Sequence, residues 1–338
     1  MRCECKSADS KAFSLVELLI SMAILSLMIL MVSFMLGEVE KGWSRVRGGS
    51  IEFRDARNAF ETIANRISQA RIDTYWDYEM DGGLPVQYRK SSHLHFVAGP
   101  AEDLVPDSLV EASGSAIFFE APFGISRQQD LKGLASLLNG WGYFAGFSGD
   151  VEWQPLFARG AVADRYRFRL FEYHLPTEEL VLHSEDTVVE YDWITNHLVS
   201  ENVSVLAENI ILFLIHPVDS TEPEEAHKLA EQYRFDSRAY SLAPELSNAA
   251  RTQHEIPPMI KMTMVAVSEG DFGRLQGGRA NRIPVELQFE EIAPFEKAAD
   301  FEKDLHALEE HLQEERVDYR VFSTVISLRA SKWTDVNF

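Results

Sequence analysis

The chain has 338 residues, which permits one large domain or two, and outside one apolar N-terminal segment its composition is that of a globular protein. Its formal net charge at pH 7 is -21. So acidic a body repels phosphate backbones, and no run of Lys and Arg offsets that repulsion, so nucleic acid is not an expected partner.

Residues 1–12 contain both cysteines of the chain, Cys3 and Cys5. A C-x-C pair offers two thiolates, fewer than a structural zinc ion needs. A lipoprotein signal does not fit either, because its cysteine would have to follow the apolar segment. If residues 1–12 are removed, the remaining chain can form no disulfide and depends on packing for its stability.

An apolar segment follows Lys11 and holds one ionisable side chain, Glu17. From Leu18 to Gly37 there are about 20 residues without charge, enough to cross a hydrocarbon core of ~30 Å as a helix. The segment is longer than the h-region of about 7–15 residues in a secretory signal peptide. We therefore predict a transmembrane helix at 13–37, with Glu17 as a functional residue because a carboxylate in lipid is costly.

The order Lys11, Ala12, Phe13 and Glu17 resembles the type IV prepilin signal, although the family usually has Gly where this chain has Ala12. The resemblance implies that residues 1–12 are a leader peptide. A prepilin peptidase/N-methyltransferase would cut after Ala12 and methylate the new N-terminus at Phe13. It also implies an inner-membrane, single-pass protein with an extracytoplasmic head. The charges that flank the segment hardly decide its orientation, so this expectation depends on the resemblance.

The same resemblance gives Glu17 a role in assembly. Its carboxylate, one helical turn from the amine of Phe13, can neutralise that amine within the chain or between neighbouring subunits. The alternative is an ordinary signal anchor in which Glu17 lies near the lipid headgroups. Before assembly the expected partner of the segment is inner-membrane lipid.

Helical periodicity continues over residues 38–72 and predicts an amphipathic helix that packs on the head. Gly42, Gly48 and Gly49 interrupt the join and favour a bend there. The apolar stripe is formed by Phe53, Ala56, Phe60, Ile63, Ile67 and Ala70.

From residue 73 to 338 short alternating or apolar runs predict a head rich in antiparallel strands. Residues 131–138 and 299–315 suggest helices, the second with an apolar stripe at Phe301, Leu305, Leu308 and Leu312, and residues 218–252 suggest loop or short helices. The predicted strands are 93–97, 116–120, 143–147, 165–173, 179–182, 203–215, 259–267, 285–289 and 319–329.

Segments 206–219, 256–269 and 320–333 look like strands of minor pilins, the type II secretion J-subunit and PilW-like group. A closer resemblance is to the Verru_Chthon cassette protein C family, a prepilin-type group of verrucomicrobial genomes. It rests on segments 71–81, 88–104, 142–150, 166–180, 304–312 and 320–333.

Other candidate sites have simpler interpretations. His93 and His95 would share a strand face, but without a third ligand we interpret them as ordinary histidines. The acidic pairs at 178–179 and 224–225 lack the order of a calcium loop and are interpreted as solvated charge. For the aromatic cluster Tyr75, Trp76 and Tyr78, we favour packing of the helix end against the sheet over a binding platform.

No hydrolase elbow or phosphate loop is present, so we predict no enzyme, catalytic residue, cofactor or metal. The predicted fold is α+β and pilin-like, a long N-terminal helix on an antiparallel head. The predicted function is that of a minor pilin or pseudopilin near a filament tip, with other pilin-like subunits as partners. The alternative is a membrane-anchored binding or sensor domain that does not polymerise.

Overall fold

The computed structural model describes residues 15–154, 157, 159–161, 164–180, 192–219, 229–238, 253–277 and 281–332. The chain divides into two compact units, Met1–Ile51 and Glu52–Phe338. In the first unit the described residues form the beginning of helix α1. The second unit contains the end of α1 and the described strands.

The described helices are α1 (Leu15–Ile67), α2 (Ala101–Leu104), α3 (Asp192–Thr195), α4 (Glu269–Gln276) and α5 (Phe301–Glu314). The described strands are β1 (Tyr75–Asp81), β2 (Leu84–Ser91), β3 (Val97–Pro100), β4 (Glu111–Pro122), β5 (Leu138–Ser148), β6 (Arg167–Leu175), β7 (Val203–Glu208), β8 (Ile210–Val218), β9 (Phe235–Asp236), β10 (Met259–Val267) and β11 (Tyr319–Ser327). Every strand pair among them is antiparallel. The protein is therefore α+β, with an N-terminal helix followed by an antiparallel β-rich head, as predicted.

The C-terminal part of α1 packs as its periodicity predicts. Ala56, Phe60, Ile63 and Ile67 are buried, because residues three and four positions apart share one face of a helix. The backbone stays helical across Gly42, Gly48 and Gly49, so the predicted bend does not interrupt the helix. The helix ends at Ile67, five residues before the predicted end at 72.

The last turn of α1 is attached to the sheet by Arg66. Its guanidinium pairs with Glu172 on β6 and lies 4.7 Å from the ring centre of Trp141 on β5. Glu172 Oε1 also accepts hydrogen bonds from Trp141 Nε1 and from the hydroxyl of Tyr143, each at 3.1 Å. The ion pair with Glu172 and the cation–π contact with Trp141 thus hold the end of the helix against the sheet.

The described strands form a six-stranded sheet in the order β7-β6-β5-β4-β3-β9, a three-stranded sheet β11-β10-β8, and the hairpin β1-β2. One core joins α1 to one face of both larger sheets, through residues such as Phe119, Tyr143 and Met264. The opposite face of the three-stranded sheet packs under α4 and α5, and that of the six-stranded sheet packs against α2 and α3. Each larger sheet is therefore covered on both faces.

Asn209 carries the chain from one sheet to the other. The predicted strand 203–215 is in fact two strands, β7 and β8, separated by Asn209 at φ 60°. Asn tolerates this left-handed conformation better than most residues. Its N–H donates to Phe168 O at 2.7 Å, its carbonyl accepts from Val267 N at 2.9 Å, and its side-chain amide donates to Glu269 at 2.6 Å.

Apart from the division at Asn209, four predicted elements differ from the structure. The strand predicted at 179–182 begins at the end of a 3-10 turn, Thr177–Glu179, and residues 181–182 lie outside the described residues. The strand predicted at 285–289 is a 3-10 turn, Val285–Leu287, and the helix predicted at 131–138 is a 3-10 turn, Gln129–Leu131, followed by β5. The strand predicted at 93–97 begins only at Val97. β6 is buried on both faces over most of its length, because Leu170 lies in the core with α1 while Phe171, Tyr173 and Leu175 pack with α2 and α3.

Candidate functional site

The predicted processing and assembly residues lie at the N-terminus. Ala12 and Phe13 are outside the described residues, and Glu17 is the third described residue of α1. In the same stretch Ser21 Oγ donates to Leu18 O at 2.9 Å, and Ser26 Oγ donates to Met22 O at 2.8 Å. These hydroxyls are satisfied inside the helix, which leaves Glu17 as the ionisable residue of an otherwise self-contained apolar segment.

Large apolar side chains surround this part of α1 and expose 52–76% of their surface between Leu15 and Met35. Within the described residues, no helix combines the length and the apolarity that crossing a bilayer requires. The transmembrane segment predicted at 13–37 therefore stays a prediction.

The two histidines considered as metal ligands have separate partners. The ring of His93 stacks on Tyr75 at 5.0 Å between centroids and contacts Asp73 through Nδ1 at 3.1 Å. His95 is fully buried and contacts Asp236 and Trp193 instead. Among the residues that the structure describes, no group of three or more His, Cys, Asp or Glu side chains is placed to hold a metal ion.

The acidic pair at 178–179 is held by Arg127. Glu178 Oε1 accepts the backbone N–H of Arg127 at 2.6 Å, and Glu179 pairs with the guanidinium of the same residue. The pair is thus part of a loop contact, not free solvated charge as predicted. The second acidic pair, 224–225, lies outside the described residues.

The aromatic cluster after α1 does not pack the helix end against the sheet, so that interpretation was wrong. Trp76 and Tyr78 lie on β1 of the hairpin and are 66% and 50% exposed. Tyr75, one position earlier, points to the opposite face by strand alternation and contacts His93. The cluster is therefore divided between two faces, one of them facing solvent.

A buried polar cluster, centred on His95, connects β3, β4, β9 and α3. His95 Nε2 lies 2.7 Å from Asp236 Oδ1, and Trp193 Nε1 donates to His95 Nδ1 at 3.1 Å. Because an indole nitrogen only donates, Nδ1 must be the acceptor and Nε2 must carry the proton. Burial lowers the pKa of His95, and the neighbouring Asp236 offsets part of this effect, so the ring is neutral. Both ring nitrogens have hydrogen-bond partners.

Glu120 and Arg238 complete this cluster. Glu120 is 1% exposed, and its Oε2 accepts the backbone N–H of His95 at 2.9 Å. Arg238 donates through Nη2 to His93 O at 3.0 Å, and its buried Nε has no hydrogen-bond partner among the described residues. Neither nitrogen of His95 is available to a substrate, so the cluster stabilises the head rather than performing acid-base chemistry.

Burial raises the pKa of Glu120 from 4.5 to about 8. The folded state therefore holds a proton that the unfolded chain releases above pH 4.5. The free energy of unfolding should fall by up to about 1.4 kcal/mol per pH unit as pH rises from 5 to 8. We expect Glu120→Gln to remove this fall, which thermal or urea unfolding of both proteins across that range would measure.

The Glu120→Gln comparison separates Glu120 from other titrating groups. His95 acts in the opposite direction, because its lowered pKa makes folding more favourable as pH rises through the ordinary value of 6.5. That contribution is common to both proteins and cancels in their difference. Parallel pH profiles for wild type and Glu120→Gln would show that Glu120 is ionised in the folded state.

An open cleft of about 520 Å³ lies where β4, β8 and the segment around residue 295 meet. Three backbone irregularities line it: Gly114 at φ 70°, Tyr233 at φ 58° and Phe295 at φ 48°. Ser113 Oγ, also in the lining, is buried without a hydrogen-bond partner among the described residues. Strained backbone of this kind often accompanies binding sites, but the rim carries both charge signs and selects no ligand class.

The comparisons with known proteins concern the N-terminal segment. Residues 8–33 match the family model of the prokaryotic N-terminal methylation motif. No curated protein and no solved structure gives a significant match. The matched motif spans Ala12, Phe13 and Glu17, and it supports a type IV prepilin-like protein that is processed by a prepilin peptidase, assembles with other pilins and is anchored through its N-terminal helix.

Proposed function

We propose that the chain is a minor pilin or pseudopilin-like structural subunit that assembles at or near the tip of a type IV pilus or type II secretion-like filament. The observation that carries the proposal is the match of residues 8–33 to the methylation motif, a range that contains the proposed cleavage site after Ala12 and the acid Glu17. The α+β head supports it, because the order of an N-terminal helix followed by an antiparallel head is that expected of a pilin. Among prepilin-like proteins, we propose kinship with the Verru_Chthon cassette protein C family.

The size of the head supports a place at the tip. The second unit extends from Glu52 to Phe338, and both larger sheets carry additional covering elements. Bulky heads crowd a helical lattice, so a low-copy position at one end suits this subunit better than the shaft. Before assembly, the chain would be a single-pass protein of the inner membrane with its head outside the cytoplasm.

The chemistry of assembly follows from two charges in an apolar environment. Removal of residues 1–12 creates an amine on Phe13, and Glu17 lies four residues further along the helix. Each charge alone is costly in lipid, so pairing between subunits sets the register at which one subunit is added to the next. No catalytic group is required of the chain itself.

Mass spectrometry of the mature N-terminus tests processing. In cells that contain the prepilin peptidase we expect the N-terminal peptide to begin at N-methylated Phe13. Ala12→Leu should leave the leader attached, because a cleft that accepts a small residue excludes the larger side chain, whereas Ser10→Ala should be processed normally. A wild-type protein that keeps residues 1–12 in such cells would contradict the proposal.

A further inference from the structure

The hairpin β1-β2 exposes a continuous apolar surface. The register places Tyr78 opposite Tyr88, with Trp76 two residues before Tyr78 on the same face. We call the exposed residues the hairpin surface. They are Trp76 (66% exposed), Tyr78 (50%), Met80 (59%), Val86 (60%) and Tyr88 (64%). Leu84 pairs with Asp81 beyond a bulge and lies on the other face.

The area of this surface indicates an interaction site. At ~200 Å² per aromatic side chain, the three aromatic residues alone expose about 350 Å². With Met80 and Val86 the patch reaches the upper end of the few hundred Å² that the largest apolar patch of a monomer exposes, and patches of that size are often functional. A two-stranded ribbon is also only marginally stable in water, so a covering partner would stabilise it.

The base of the hairpin is held firmly. Thr74 Oγ1 donates to His254 O, and Lys90 Nζ lies 3.2 Å from Glu255 Oε1. Tyr75 stacks on His93, whose Nδ1 contacts Asp73. The hairpin surface is therefore presented in an ordered position, which lowers the entropic cost of binding.

The chemistry of the hairpin surface selects a protein over a sugar or a lipid. Tyr78 and Tyr88 hydroxyls bond each other at 3.2 Å, and Met80 and Val86 offer no polar group to sugar hydroxyls. Insertion into a bilayer would bring Asp81, at the turn, into the hydrocarbon. An apolar protein surface meets neither difficulty.

Charge defines the partner further. The chain carries a net charge of -21, so a second copy approaching the hairpin would be repelled. A protein with Lys and Arg around an apolar centre would be attracted instead. We propose that the hairpin surface docks a different protein, whose contact patch is apolar at its centre and basic at its rim.

Photo-crosslinking in native cells tests this proposal, with benzoylphenylalanine placed at Tyr88 in the full chain and, as the matched control, at Gln87 on the opposite face. We expect the protein adduct from position 88 to exceed that from 87. Mass spectrometry should map its attachment site to an apolar patch flanked by Lys and Arg. An adduct with lipid or polysaccharide, with a second copy, within the chain itself, or no adduct would overturn the proposal.

Affinity measurements with the identified partner complete the test. Trp76→Ser should weaken Kd at least about tenfold, as truncation of a central aromatic residue usually does, while Gln87→Ser should leave Kd unchanged. Raising the salt concentration should weaken binding by screening the opposite charges. Equal affinities of both variants would refute the assignment, and none of these results depends on cleavage after Ala12.

Discussion

Glu17→Ala is expected to leave the full-length protein in the membrane fraction but to remove it from assembled filaments. In the proposed assembly, the substitution takes away the carboxylate that would neutralise the amine of Phe13 in the neighbouring subunit. An uncompensated charge in hydrocarbon costs about 2.5–3.5 kcal/mol, which corresponds to a roughly hundredfold loss of incorporation. Membrane retention should persist, because an alanine makes the apolar segment more hydrophobic.

The measurement is the ratio of this subunit in sheared filaments to that in membranes, together with the mass of its N-terminus. Ser21→Ala is the matched control, since its hydroxyl bonds only to Leu18 O within the same helix and should be dispensable. If Glu17→Ala is cleaved and still enters filaments at the wild-type level, the carboxylate has no role in assembly. If the wild-type protein never enters filaments, the anchored binding or sensor domain becomes the better interpretation.

Gly114→Ala should destabilise the head strongly, although it adds a single methyl group. Gly114 lies in the bulge of β4 at φ 70°, and a Cβ there would come within 2.4 Å of Phe213 O on β8. Both partners are sheet backbone, so neither can move aside without breaking pairing. We expect the free energy of unfolding to fall by at least about 3 kcal/mol, from the left-handed strain of about 1–2 kcal/mol plus the clash.

Gly133→Ala separates the two causes. Gly133 also has a positive φ, 96°, but nothing lies within 4 Å of the position its Cβ would take. This variant should show the backbone strain alone. Urea unfolding of both variants decides the matter: equal losses would mean that the strands around Phe213 relax freely and that contact between the two sheets is loose.

Local periodicity was sufficient where one element buries one defined surface. The stripe that ends at Leu312 predicted α5 closely, and the apolar run from Met259 to Val267 predicted β10 without error, because few alternatives bury such patterns. The apolar face of α1 was predicted for the same reason. The N-terminal motif was also readable, because residue type and spacing fix its chemistry within a few positions.

Predictions failed where distant residues decide the structure. Asp236 and His95 are 141 positions apart, and no local pattern indicates that a residue in a polar segment will complete a buried pair. The division at Asn209 depends on contacts with Phe168 and Glu269 that periodicity cannot reveal. The hairpin did carry a local signal, since Gly82 and Gly83 separate two alternating runs and both have positive φ.

The contact between Phe60 on α1 and Phe322 on β11, 5.6 Å between ring centres, joins positions about 260 residues apart. One part of the surface on which α1 rests, the strand β11, is therefore synthesised almost last. The buried stripe of the helix cannot complete its packing before β11 is made, so part of its apolar surface stays unprotected for most of translation. A chaperone that covers the stripe until synthesis is complete would keep this apolar surface from aggregating.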